Sequence, residues 1–269
     1  MQTEWLLEVE GVTVAFGGVV ALDNVSFGVR AGEVLGVIGP NGAGKTTLFN
    51  ALTALVPLAH GDVKLSGTVV SGWTTHRIAR AGIARTLQTP EIFPQITLRE
   101  NVLAATLARQ TPWLIAVGLG LPGAKRREAQ AGEETDRLLQ DSLLRDEVGR
   151  LAGDLPFGHQ RLLEIYRALA MDPRVLLLDE PLSGLTREEA LVVLGLIRQI
   201  RGAGRAVLLV EHDLPSVLAV ADRIVVLAEG RLIAEGTPEE VQRDENVRRV
   251  YLGREAGQEG AASQGGMTR

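Results

Sequence analysis

Between residues 39 and 46 the chain reads Gly39-Pro40-Asn41-Gly42-Ala43-Gly44-Lys45-Thr46, a fit to the pattern G-x-x-x-x-G-K-[ST]. No other feature narrows the fold as much. The eight residues follow a strand-like run, Glu33 to Ile38, and open a helical run, Lys45 to Leu55, that stops before Pro57, so the segment reads as strand, tight loop and helix. Glycines there let successive backbone N–H groups turn toward one anion, and the positive end of the helix dipole adds to them. Lys45 would neutralise phosphate oxygens, Thr46 offers a hydroxyl to magnesium (Mg2+), and Thr47 is grouped with the loop residues. The bland alternative is a chance glycine turn, which leaves the flanking strand and helix as coincidences.

A second segment belongs to the same chemistry. Val175-Leu176-Leu177-Leu178-Asp179-Glu180 is four apolar residues followed by two acids, which puts both carboxylates at the C-terminal edge of a buried strand, where open α/β sheets bind ligands. Asp179 can hold magnesium through water, and Glu180 is placed to polarise an attacking water. Read alone, the two acids could be no more than a strand end capping the next helix.

The remaining pattern supplies the architecture. Leu6 to Phe16 and Ala21 to Arg30 alternate apolar and polar around Gly17-Gly18, which predicts an antiparallel pair with a tight turn. From Arg99 to about Leu151 the pattern becomes helical, with stretches at 99–109 and 126–140 separated by an apolar piece at 112–123 that contains proline and glycine. Helices at 158–171 and 187–201, strands at 175–178 and 206–210, and two short strands around Glu229-Gly230 complete it. Alternating strands and helices predict an α/β fold: a phosphate-loop core with a parallel sheet, an antiparallel β subdomain and an inserted helical subdomain at about 97–157. Residues 5–253 form the domain, and 254–269, rich in Gly, Ala, Ser and Gln, read as a disordered tail.

Composition excludes several classes. The 269 residues contain no cysteine, so thiolate metal sites, thiol nucleophiles and disulfides are ruled out. A net charge of −5 gives no basic footprint for nucleic acid. Lysine occurs only at 45, 64 and 125. The N-terminus lacks a basic region followed by an apolar run, so no signal peptide is expected. The stretch Trp113 to Pro122 is half the ~20 residues that a membrane-spanning helix needs.

In order along the chain, Phe16, Gly39 to Thr46, Gln88, Leu155 to Gln160, Asp179-Glu180, Ser183 to Thr186 and His212 resemble the ATP-binding cassette (ABC) ATPases over about residues 6–253. The resemblance implies ATP and magnesium as cofactors. It implies that Phe16 stacks on adenine, that Gln88 contacts magnesium and senses a transmembrane partner, and that His212 touches the γ-phosphate and supports Glu180. Without it, Phe16 reads as a core aromatic, Gln88 as a surface amide and His212 as a neighbour of a helix cap. The signature segment, usually Leu-Ser-Gly-Gly-Gln, is here Leu155-Pro156-Phe157-Gly158-His159. The serine hydroxyl is missing, while Gly158 can still present its N–H to an ATP bound on an opposite subunit.

Pro156-Phe157-Gly158 with Gln160-Arg161-Leu162-Leu163-Glu164-Ile165 is similar to the subgroup that powers branched-chain amino acid importers. So are Arg85-Thr86-x-Gln88, Pro122, Arg126-Arg127-Glu128 and the ending Gly236-Thr237-Pro238 to Tyr251-Leu252-Gly253. Thr186 departs from the Asp or Asn of that family's loop. The subgroup implies two transmembrane permease subunits, a second cassette that is a different chain or a copy of this one, a substrate-binding protein, and a place on the inner face of the cell membrane. Thr89 to Pro94, with Ile92 and Phe93, is expected either to receive a permease helix or to lie in the insert's own core. A non-transport ABC ATPase and an importer for urea, amides or other amino acids are the rival readings.

Overall fold

The computed structural model describes residues 5–109, 124–212 and 214–250. Their Cα positions divide into two compact units, one taking in residues up to Gly72 and from Leu208 onward, the other Trp73–Val207.

In the first unit, β1 (Leu7–Phe16) and β2 (Val19–Val29) pair antiparallel with Phe16 opposite Val19, as the Gly17-Gly18 turn predicts. Leu7, Val9, Val12 and Val14 of β1 are buried, the one-sided alternation of a sheet with one face packed. β1 also pairs with β4 (His60–Leu65), and β4 with β5 (Thr68–Val69), in the order β2-β1-β4-β5. The turn between β4 and β5 is Ser66-Gly67, both at positive φ, the conformation that matches strand twist in two-residue hairpins.

The same unit carries β3 (Val34–Ile38), which pairs parallel with β9 (Arg223–Ala228), and β9 pairs antiparallel with β10 (Arg231–Gly236). All five β3 residues are buried. A Cβ on Gly36 would come 2.4 Å from Val217 Cγ1, so glycine lets α7 (Leu214–Leu218) close on the strand. Ile38, Val217, Ile224, Val226, Val241 and Val247 form one apolar cluster there.

The second unit pairs β6 (Ile83–Arg85) parallel with β7 (Val175–Asp179), whose five residues are all buried. Its helices are α2 (Thr75–Ala81), α3 (Leu98–Arg109), α4 (Ala124–Gln140), α5 (Phe157–Ala170) and α6 (Arg187–Gly202). α3 and α4 are joined by the bidentate Arg99–Asp136 pair at 2.6 and 2.9 Å and by the buried Thr106–Thr135 hydroxyl contact at 3.0 Å. β8 (Ala206–Val210) has its first two residues in this unit and its last three in the other. The expected apolar piece at 112–123 and the tail at 254–269 lie outside the described residues.

Thr186, foreseen as a departure from the family's acidic or amide residue, is the N-cap of α6. Its hydroxyl accepts from the Glu189 backbone N–H, and the Glu189 carboxylate accepts from the Thr186 backbone N–H at 2.8 Å, a reciprocal capping box. That backbone bond, first, and the Thr186 hydroxyl hold the Glu189 carboxyl below the usual range. A lowered carboxyl stabilises the fold above its unfolded value and loses that contribution as pH falls through the lowered one. Thr186→Ala should therefore lower the thermal midpoint by about 2–4 °C at neutral pH. The gap between variant and wild type should narrow in acid. Equal midpoints at neutral pH would contradict the cap.

Candidate functional site

The loop after β3 is built by close approach. A Cβ on Gly39 would lie 2.1 Å from the Leu227 carbonyl oxygen, and one on Gly44 would lie 2.8 Å from Leu22 Cδ2 and 2.9 Å from the Ala21 oxygen. Gly42 has open space around it but sits at φ 80°. Gly44, left-handed at φ 103°, begins α1 (Lys45–Leu52) with no side chain capping the helix. No side chain thus competes with an outside acceptor at the start of α1, the arrangement that binds anions. Lys45 is buried, and its ammonium donates to the Gly39 oxygen at 2.7 Å and the Pro40 oxygen at 3.1 Å. Ala43 is buried and its oxygen accepts from Gly230 N–H at 3.1 Å. Asn41, Gly42 and Thr46 are exposed, and Thr47 is half-buried.

Two more predicted residues belong to this unit. Phe16 ends β1 with 48 % of its surface exposed, so it is not the core aromatic that its sequence position alone suggests. His212 follows β8 with an exposed side chain, its Nδ1 3.8 Å from the buried Glu211 carboxylate; Asp213 beside it lies outside the described residues.

The carboxylates belong to the second unit. Asp179, last in β7, is buried, and its Oδ2 accepts from Arg85 Nη2 at 2.7 Å. Its backbone N–H is donated to the Thr86 hydroxyl at 3.3 Å. Glu180, one residue on, has φ 47°, a left-handed conformation uncommon for a residue with a side chain and concentrated at functional positions. Gln88 Nε2 donates to Glu180 Oε2 at 2.9 Å. The structure thus brings together Gln88 with Glu180 and Arg85 with Asp179.

The Leu155 to His159 segment enters α5 through Pro156, whose φ of −54° suits a residue without a donor, and no side chain caps the helix. Phe157 is exposed, and its ring lies where a Cβ on Gly184 would come 3.0 Å from it. Gly158 is buried against Glu189, whose Oε1 would be 2.1 Å from an added Cβ. His159 Nδ1 sits 2.8 Å from Glu147 Oε1, a contact that lacks hydrogen-bond alignment. Phe93 is exposed under the Arg167 guanidinium, 4.8 Å from the ring centre, and Ile92 is half-buried, so of the two expected docking residues only Phe93 faces out.

In the first unit Thr46, and in the second Asp179 and Gln88, carry side-chain oxygens that are hard donors. Among the described residues no three His, Cys, Asp or Glu form a metal cluster. Each of Thr46, Asp179 and Gln88 carries the kind of oxygen that suits magnesium, an ion held mostly by phosphates and water.

Residues 22–183 match the family model described as ABC transporter. The chain belongs to the ABC transporter family. Residues 231–257 of this cassette also match the model described as branched-chain amino acid ATP-binding cassette transporter. The chain is 39 % identical over 249 residues, 92 % of itself and 98 % of the relative, to the high-affinity branched-chain amino acid transport ATP-binding protein BraF of Pseudomonas aeruginosa. It is 34 % identical over 247 residues, 92 % of itself and 97 % of the relative, to the lipopolysaccharide export system ATP-binding protein LptB of Escherichia coli. Among solved structures, the ADP conformation of an ATP-binding cassette of an ABC transporter superposes with a TM-score of 0.81 at 31 % identity, covering 93 % of this chain and 99 % of that one.

As a member of this family, the cassette binds ATP and hydrolyses it for a transporter with membrane permease components. No described helix is long and apolar enough to cross a membrane.

Gly39 gives a direct test of how the loop is built. Because a side chain there meets a backbone carbonyl, Gly39→Ala should displace the loop and weaken nucleotide binding at least about tenfold, a loss of ~1.4 kcal/mol. Unchanged ATP affinity by calorimetry would show that the approach to Leu227 is dispensable.

Proposed function

We propose that the chain is the ATPase subunit of a branched-chain amino acid importer, a single cassette spanning residues 5–253. The observation that carries the cargo is the match at residues 231–257, over β10, α8 (Pro238–Arg243) and the residues beyond it, beside the likeness to BraF. The likeness to LptB favours a second reading, export of a lipid cargo by the same ATP-driven machinery.

Under this proposal the uncapped N–H groups of α1 and Lys45 take the phosphates, Gly39 to Thr47 forming the cradle. Thr46, Gln88 and Asp179 would hold magnesium, which when bound would screen phosphate charge. Arg85, 2.7 Å from Asp179, holds that carboxylate in place. Phe16 offers its exposed face to adenine, a stacking contact typically worth ~1–3 kcal/mol. Glu180 accepts the proton of the attacking water, and His212 supports the γ-phosphate. Gly158, at the open start of α5, presents its N–H to ATP on a second cassette. Two permease subunits and a binding protein complete the importer, with this subunit on the inner membrane face.

Glu180→Gln should keep ATP binding and lose at least about 100-fold in turnover, the scale of a general base. Lys45→Ala should weaken ATP binding about 10- to 100-fold, since a hydrogen bond to a charged group is worth ~1.5–3 kcal/mol. Normal turnover in the first variant, or unchanged affinity in the second, would remove that residue from its role. Vesicles holding the assembled transporter should take up leucine, isoleucine or valine only with ATP; ATP-driven movement of a lipid instead would favour the export reading.

A further inference from the structure

α5 lays Arg161, Glu164 and Arg167 along one face, three residues apart, against the segment that begins at Leu87. Arg161 is 1 % exposed. Its Nη1 donates to the Leu87 oxygen at 2.8 Å and its Nη2 to the Gln88 oxygen at 2.6 Å, while Nη1 also lies 3.2 Å from Glu164 Oε2. Glu164 Oε1 accepts the Leu87 N–H at 2.7 Å. One turn further on, Arg167 donates to the Glu91 oxygen. Both main-chain polar groups of Leu87 and the carbonyl of Gln88 are thus bonded to two side chains of one helix.

A buried ion pair is weak grounds for stability, because apolar residues of similar volume often pack at least as well. Burial raises the Glu164 carboxyl above its usual range, against the pull of the Leu87 N–H and Arg161. What apolar residues could not do is fix the main chain on both sides of the peptide that joins Leu87 to Gln88. The Gln88 side chain leaves this clamped backbone and reaches Glu180 Oε2 at 2.9 Å. Displacements near 1 Å at such a group can cost about 100-fold in rate.

We propose that Arg161 and Glu164 are positioning residues for ATP hydrolysis, clamping the Leu87–Gln88 main chain so that the Gln88 amide orients the Glu180 carboxylate. The inference rests on the reading of Glu180 as the group that activates water. Neither Arg161 nor Glu164 touches the reacting atoms; both act through Gln88.

The test is a double-mutant cycle on the full chain, with steady-state ATPase rates and thermal midpoints for Arg161→Met, Gln88→Ala and the pair. Arg161→Met should lower kcat about tenfold or more with KM for ATP changed by a clearly smaller factor, because Lys45 and the phosphate cradle are untouched. In the Gln88→Ala background, Arg161→Met should lower the midpoint as before yet leave kcat unchanged, since the amide it positions is gone. Equal fold-losses of kcat in both backgrounds would overturn the proposal. So would a Gln88→Ala chain of normal kcat beside a slow Arg161→Met chain. Should Arg161→Met fail to fold, Glu164→Gln, of nearly the same shape, enters the same cycle with the same expectations. Normal turnover in Glu180→Gln would instead remove the underlying reading, and that result is independent of the cycle.

Discussion

A strand buried on both faces can carry polar chemistry only where its burial ends. β3 and β7 are both of this kind, five buried residues each, and nearly every candidate functional group follows from that limit. Gly39 begins where β3 stops, and the glycines turn the chain so that α1 starts with its amides uncapped. Asp179 is the last residue of β7, and Glu180 leaves the strand at φ 47°. In each unit the apolar run sets a rigid frame and the chemistry sits on its rim, which is also where ligands meet open α/β sheets.

The second constraint is electrostatic. Acids at a strand edge need partners, and the second unit supplies them from one stretch of chain: Arg85 for Asp179 and Gln88 for Glu180. That stretch is in turn bonded to α5, the helix entered through the Pro156-Phe157-Gly158 segment. Phe157 lies over Gly184, and Gly158 admits Glu189, so the altered signature segment is fitted to the turn before α6. Substituting Phe157 changes that packing.

What was legible in the sequence was local. The loop from Gly39 to Thr46, the run from Val175 to Glu180 and the turn at Gly17-Gly18 are each contiguous, so their pattern survives without knowledge of tertiary contacts. β4 and β5 were missed because only Val63 and Leu65 of β4 are buried, too few to mark a strand, although Ser66-Gly67 carried a turn signal. The Arg85–Asp179 pair spans 94 residues, a separation no local pattern encodes. Arg161 and Glu164 stand at a spacing that invites pairing, but charged residues on a helix ordinarily face solvent; their burial is decided by the segment they bind. The exposure of Phe16 was legible only through the family resemblance, since an aromatic at a strand end is ordinarily core.

The proposed function gives the uncapped start of α1 to the phosphates and gives Gln88 and Glu180 to hydrolysis. Amide hydrogen exchange of the full chain, with and without Mg-ATP, tests it most directly. Exchange at the amides of Gly44 to Thr47 and at Gln88 should slow when Mg-ATP is present. Saturating Mg-ATP that leaves both stretches exchanging at their free rates would contradict it.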